Sequence, residues 1–275
     1  MILFPNGKIN LGLHILRKNA NGYHDIETVF YPVQVSDALE ILAAENTEEV
    51  SFSSSGLSLS GPTSGNLCIK AYRLMKELFP GLPGIQLHLH KVIPMGAGLG
   101  GGSADGTSTL LALNRIFDLH LSDDVLSGLA LRLGSDCPFF IHNKPLLAEG
   151  RGEVFSDIEV SLKGYELVLV FPRLHIPTPW AFSVVTPRRP EQTLRQILLL
   201  PPLQWKQNLV NDFEAPVGEA YPQIRFIREE LYRMGAVYAA LSGSGSTVFG
   251  LFNKGEVPVF TFDASYEVLR SPCLF

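Results

Sequence analysis

The chain has 275 residues, 46% of them hydrophobic, with 22 basic and 27 acidic side chains and a net charge of -5. That is enough for a sizeable core in one large or two modest domains, and the acidic balance leaves no footprint for nucleic acid. No apolar run nears the roughly 18 residues that span a bilayer, no signal-peptide pattern opens the chain, and Cys68, Cys137 and Cys273 make neither a disulfide framework nor a zinc site, so a cytoplasmic protein is expected.

The opening segment FPNGKINLGLHIL alternates Ile9, Leu11, Leu13 and Ile15 with Lys8, Asn10, Gly12 and His14. This predicts a strand with one buried face. Lys8 and Asn10 project together from the other face, which taken alone reads as solvated. Asn21-Gly22 predicts a hairpin turn. Tyr23 and His24 follow it, a pair that either lies on the surface or holds a flat polar ring by stacking and hydrogen bonding. Strands continue through Val33, Val35, Leu39 and Ile41, and the Ser-rich stretch 51–65, carrying Phe52, Leu57 and Leu59, reads as a hairpin. Asn66 caps a helix with Leu67, Ala71, Leu74 and Leu78 on one face, stopped by Pro80-Gly81.

Next comes an alternating strand (Ile85, Leu87, Leu89) and then PMGAGLGGGSADG, residues 94–106, with six glycines in thirteen positions. Leu110, Leu113 and Phe117 mark an amphipathic helix behind it. Strand, glycine loop and helix together suit a phosphate. Glycines take positive φ and let several N–H groups face one anion, and the helix N-terminus adds about half a positive charge. Ser103 stands where loop becomes helix, placed to cap it or to touch a phosphate or its metal ion. Gly96, Gly98 and Gly101 also satisfy the dinucleotide fingerprint, which wants an acidic residue at the end of the following strand about 20 residues on. Asp118 has the spacing but falls at the end of the helix. A Walker A loop is excluded, because no Gly-Lys-Ser/Thr occurs here. A plain structural turn does not need so many glycines, so a phosphate cradle is the better reading.

Ser122 caps a further helix, with Asp123 and Asp124 in its first turn and Gly134 after its end. Asp136, before Cys137-Pro138 and the apolar Phe139-Phe140-Ile141, reads by itself as another helix cap. The second half, from Arg151, holds a buried strand over 165–171, and IPTPWAF (176–182) reads as a rigid loop. Pro201-Pro202 separates helical stretches, and Asn211-Asp212-Phe213-Glu214 leads into a helix with Ile224, Ile227, Leu231 and Met234 on one face, ended by Gly235. ALSGSGSTVFGLF predicts strand, glycine-serine turn and strand. The expected domains are 1–150 and 151–275.

The set PNGKINLGL, NGYH, PMGAGLGGGSADG, GSDCPFF and LSGSGSTVFG resembles the GHMP kinases, small-molecule kinases with a P-x-x-x-G-L-G-S/G-S phosphate loop. The resemblance implies an α+β fold of two domains, with ATP in the N-terminal half and the active site in the cleft between domains. Lys-Ile-Asn-Leu with Gly-Tyr-His is similar to the member of the non-mevalonate isoprenoid route that phosphorylates the 2-hydroxyl of a diphosphocytidyl alcohol. The resemblance makes Asp136 the catalytic base and Lys8 the catalytic lysine, which keeps that base ionised and stabilises the transferring group. Pro94, Met95, Gly96, Ala97, Gly98, Leu99, Gly100, Gly101, Gly102, Ser103 and Ala104 match its ATP loop, and Asn66 its adenine contact. Tyr23, His24 and Phe182 match residues that hold the cytosine, and Asn10 and Thr178 substrate-side positions. ATP is the implied donor and Mg²⁺ the implied metal, with neither nucleic acid nor membrane as partner, and with monomer and homodimer both open. Gly7, Asn21 and the Ala104-Asp105 pair depart from the usual family residues, though no reactive group is lost. Another GHMP kinase, acting on a sugar, homoserine or mevalonate, and an inactive ligand-binding relative remain as alternatives.

Overall fold

The computed structural model describes every residue except Glu45, Asn46, Glu48 and Thr261. In chain order its strands are β1 (Ile2–Leu3), β2 (Asn6–Lys18), β3 (His24–Ser36), β4 (Ala38–Ala44), β5 (Val50–Gly56), β6 (Gly84–Lys91), β7 (Leu146–Glu149), β8 (Val154–Asp157), β9 (Tyr165–Phe171), β10 (Tyr238–Leu241), β11 (Val248–Asn253) and β12 (Glu267–Pro272). The helices are α1 (Leu67–Leu78), α2 (Gly101–Ile116), α3 (Asp123–Leu133), α4 (Phe139–His142), α5 (Thr178–Val184), α6 (Leu194–Leu198), α7 (Trp205–Asn208), α8 (Glu214–Ala220) and α9 (Pro222–Arg233). This is the expected α+β class. The chain forms two compact units of three segments each: Met1–Gly7, Val35–Met95 and Gly100–Asn143 in the first, and Lys8–Gln34, Gly96–Leu99 and Lys144–Phe275 in the second.

In the first unit the strand order is β1-β4-β6-β5. Alternation along β6 buries Ile85, Leu87 and Leu89, which join Leu39 and Ile41 of β4 in one core with Ala71, Leu74 and Met75 of α1 and Leu110 and Leu113 of α2. The side chain of Asn66 accepts the Cys68 amide at 2.8 Å and so caps α1, and the Ser122 side chain caps α3. Residues 51–65 do not form a hairpin. Instead β5 runs parallel to β6 at the sheet edge, turning Phe52 toward the core. Its serines meet histidines: Ser53 Oγ lies 2.8 Å from His88 Nδ1, and Ser55 Oγ 2.9 Å from His90 Nδ1. That pairing joins two polar strand faces far apart in sequence, which local patterning does not register.

The second unit holds two four-stranded sheets, β2-β3-β7-β8 and β10-β11-β9-β12. Leu13 and Ile15 of β2, Val168 and Val170 of β9, and Ile224, Ile227 and Leu231 of α9 share one core. Strand β2 is buried on both faces, so Lys8 (3% exposed) and Asn10 (1%) are not solvated as the alternation alone suggests. The IPTPWAF stretch is not wholly loop, because α5 begins at Thr178 after Pro177. The single helix expected after Glu214 is two, α8 and α9, with Pro222 as the first residue of α9. Proline has no N–H to continue α8 and suits a first helical position.

Candidate active site

Gly96, Gly98 and Gly100 of the glycine loop take φ values of 67°, 79° and 69°. Left-handed residues recurring along a loop are the elements from which anion nests are built. Close approach also demands glycine at 98, where an added Cβ would collide with the Ser242 carbonyl oxygen. The Gly98 carbonyl accepts from Ser242 Oγ at 2.9 Å, the Ala97 carbonyl from the Thr247 amide at 3.1 Å and the Leu99 carbonyl from the Lys8 amide at 2.8 Å. The glycine-serine turn between β10 and β11 therefore clamps the loop through backbone groups.

Gly100 is the cap of α2, with no side-chain hydrogen bond. Ser103 is not the cap but lies in the first turn. The amides of Gly101, Gly102 and Ser103 have no carbonyl to pair with inside the helix, and the helix dipole gathers its positive end there. Buried Ala97, Leu99 and Ala104 anchor the loop on its inner side. A Cβ on Gly101 would meet Ile93 and Lys91 in the interior, whereas one on Gly102 would meet nothing within 4 Å. Gly102, Met95 and Asn66, all expected at the nucleotide, line one cavity of about 640 Å³ with Lys91 and Asp105. That volume lies within the usual range of small-molecule sites.

The turn that carries Asp136 is fastened to the same helix. Thr107 Oγ1 of α2 donates to the Cys137 carbonyl at 2.9 Å. Burial pushes the Cys137 thiol up to about 11, opposed by a hydrogen bond with Ser103 and reinforced by the nearby Asp136 carboxylate. Asp136 is half-buried and is not a helix cap, because α4 has Pro138 at that position and no side-chain cap.

In the second unit Lys8 Nζ donates to Asn10 Oδ1 at 2.8 Å, Asn10 Nδ2 to Thr28 Oγ1 at 2.9 Å, and Thr28 Oγ1 to the Gly12 carbonyl at 2.6 Å. The ammonium also lies 4.7 Å from the centre of the Phe30 ring. Each bond fixes the orientation of the next group, so the chain ends in an aimed ammonium in a largely desolvated setting. Sequence reasoning missed Thr28, whose one signal is a threonine in the largely apolar run of β3.

The tight turn at Asn19–Tyr23 is closed by the Asn19 amide on the Tyr23 carbonyl at 2.8 Å. Tyr23 is 55% exposed, and the Arg151 guanidinium sits 5.1 Å from its ring centre. His24 stacks on Phe182 with centroids 4.9 Å apart and planes at 21°, and Phe182 meets Phe213 edge-on at 5.0 Å. Burial, then the Lys18 charge, hold the His24 imidazole below its ordinary value, so it is neutral at pH 7 and offers one donor and one acceptor. Thr178 Oγ1 lies 3.2 Å from Ser244 Oγ of the glycine-serine turn. Among the described residues no three His, Cys, Asp or Glu side chains gather to hold a metal, and no helix is long and apolar enough to cross a membrane.

Residues 66–144 match the GHMP kinases N terminal domain and residues 197–260 the GHMP kinases C terminal domain. A 4-diphosphocytidyl-2-C-methyl-D-erythritol kinase of Bacteroides fragilis is 49% identical, with 97% of each chain covered. The chain belongs to this kinase family. A relative of the same name from Azobacteroides pseudotrichonymphae is 48% identical over 96% of this chain and 98% of its own. A crystal structure of 4-(cytidine 5'-diphospho)-2C-methyl-D-erythritol kinase superposes with a TM-score of 0.78 at 31% identity, covering 91% of this chain and 90% of the other. Membership fixes the fold as that of a GHMP kinase and the phosphoryl donor as ATP.

Proposed function

We propose that this chain transfers the γ-phosphoryl group of ATP to the 2-hydroxyl of 4-diphosphocytidyl-2-C-methyl-D-erythritol, in the cytoplasm, on the non-mevalonate route to isoprenoid precursors. The observation that carries this reading is the glycine loop opening onto the free first turn of α2, with the turn of Asp136 fastened to that helix. Phosphoryl transfer asks a protein chiefly for positioning and for stabilisation of charge spread over the moving group. The amides of residues 96–103 hold the nucleotide phosphates, and Asn66 lies at the adenine. Asp136 accepts the proton of the attacking hydroxyl. Lys8, aimed by Asn10 and Thr28, stabilises the negative charge that develops on the transferring oxygens.

Tyr23, His24 and Phe182 hold the cytosine by stacking and edge hydrogen bonds, and Thr178 and Asn10 face the alcohol. Magnesium takes one or two protein oxygens beside phosphate oxygens and water. The Ser103 hydroxyl on α2 and the Asp136 carboxylate on the turn bonded to it are such donors, so the site fits the ion. Held by Ser103 and Asp136, Mg²⁺ would supply neutralisation of charge on the phosphoryl oxygens. The test is ADP release with ATP, Mg²⁺ and diphosphocytidyl methylerythritol, set beside homoserine, mevalonate and hexoses as acceptors. Turnover with the cytidine substrate alone supports the assignment. Preference for another alcohol, or no turnover with any, overturns it.

A further inference from the structure

A buried ionic triad, two of whose members border the cavity of Asn66 and Gly102, lies beneath the glycine loop. Lys91 Nζ, at the end of β6, donates to Asp37 Oδ2 at 2.5 Å and to Asp105 Oδ2 on α2 at 2.7 Å. The three side chains are between 0% and 3% exposed. The other oxygen of Asp37 accepts the amides of Val92 and Ile93 at 2.6 and 2.8 Å. Those amides immediately precede the loop, and Asp105 immediately follows it. The chain leaves the first unit after Met95 and returns to it at Gly100. The triad thus ties the point of departure to the point of return through one ammonium group. A Cβ on Gly101 would lie 3.1 Å from that same Nζ, so the absent side chain there lets Lys91 sit directly under the helix start.

Stability does not explain such a cluster. Taking ionisable groups out of water is costly, and burial pushes the Asp105 carboxyl up to about 7 against the pull of Lys91; apolar groups of similar volume commonly hold a core as well or better. Asp105 Oδ1, moreover, is buried with no hydrogen-bond partner, a further cost of keeping a carboxylate here. What charged groups provide, and apolar ones do not, is a fixed direction. We propose that Asp37, Lys91 and Asp105 are positioning residues which bracket the glycine loop and hold its amides and the first turn of α2 in the geometry that receives the nucleotide phosphates. The inference rests on the assignment of that loop to ATP.

Asp105→Ala removes the downstream arm of the bracket, while Asp105→Asn keeps an oxygen acceptor for Lys91. Both full-length variants are compared with wild type in thermal denaturation, in ADP release, and in calorimetric titration with a non-hydrolysable ATP analogue. We expect Asp105→Ala to raise KM for ATP and weaken the analogue at least tenfold, with kcat at saturating ATP within threefold and KM for the cytidine substrate within twofold. Such a split is the mark of lost ground-state binding, and Asp105→Asn should recover most of it. A lowered melting temperature with unchanged nucleotide affinity would show a purely structural cluster and overturn the proposal, as would equal losses for both substrates. If Asp105→Ala fails to fold, amide hydrogen exchange in Asp105→Leu, which fills the space without an acceptor for Lys91, decides. Faster exchange confined to residues 94–104 supports the bracket, and unchanged exchange or loosening throughout the first unit refutes it. Analogue binding is read without turnover, so a wild type that binds it yet fails to phosphorylate the cytidine alcohol counts against the acceptor assignment alone.

Discussion

Gly102 offers a perturbation in which stability and binding move in opposite directions. It is the second residue of α2, and a Cβ there would meet no atom within 4 Å. Replacing a helical glycine by alanine stabilises by about 0.5–1 kcal/mol, through the conformational freedom the unfolded chain no longer has to lose. For a protein of this size that is a rise in Tm of roughly 1–4 °C. The same methyl enters the space where a phosphate would approach the Gly102 amide. A hydrogen bond to a charged group contributes about 1.5–3 kcal/mol, so displacing the phosphate from one amide should weaken ATP by roughly ten- to a hundredfold. Gly101→Ala is the control, because its Cβ would press on Ile93 Cγ2 at 2.8 Å and should lower Tm. Differential scanning calorimetry without ligand, followed by titration with a non-hydrolysable ATP analogue, reads both quantities. A Gly102→Ala protein with raised Tm and wild-type nucleotide affinity would refute the placement of phosphate at this helix start.

Asp136→Asn conserves shape and removes the proton acceptor, so kcat should fall about 10²–10⁴-fold with both substrates still bound; a loss below tenfold in ADP release would remove Asp136 from the role of base. Thr28→Val leaves Asn10 Nδ2 and the Gly12 carbonyl without their present partner, which should cost about 1–3 kcal/mol in denaturant unfolding. It should also lower kcat by releasing the aim of Lys8, and an unchanged kcat would separate Thr28 from that lysine. Tyr23→Ala and Phe182→Ala should each weaken the cytidine substrate about ten- to a hundredfold, because one base–aromatic stack contributes about 1–3 kcal/mol. ATP affinity should stay within twofold, and Tyr23→Ala should hardly move Tm since the ring is exposed; equal losses for both ligands would dismiss the cytosine contact.

Legibility followed the range of the interaction that settles each element. The α1 cap at Asn66, the α3 cap at Ser122 and the β10–β11 turn were readable because residues within one turn determine them. The glycine loop was readable because left-handed backbone and close approach admit few other residues. The loop's clamp was not, since Ser242 and Gly98 are distant in sequence and bond through a backbone carbonyl that any residue carries. Lys8 and Asn10 looked solvated because alternation reports one covered face and is silent when a second layer covers the other. For β5, the serines of the stretch that read as a hairpin are explained by His88 and His90, which become their neighbours only when the parallel register forms. Strands β7 and β8 are only four residues each, too short for alternation to register, although Gly150 and Gly152 mark the turn between them.

The three-segment make-up of the second unit sets a timetable for its assembly. Strands β2 and β3, thirteen residues each, leave the ribosome early, yet their partners come late. Leu13 bridges Asn211, the Gln34 amide donates to Ser271 Oγ at 2.7 Å, and the Tyr31 hydroxyl to the Phe275 carbonyl at 3.0 Å. At about 5–20 residues per second, roughly ten to forty seconds pass between the synthesis of Leu13 and that of Asn211. Through that interval the sheet β2-β3-β7-β8 can be completed once Asp157 is made, but the edge of β2 lacks its bridge to Asn211, and open strand edges invite pairing with other nascent chains. Slower translation before Asn211 would lengthen the exposure of that edge.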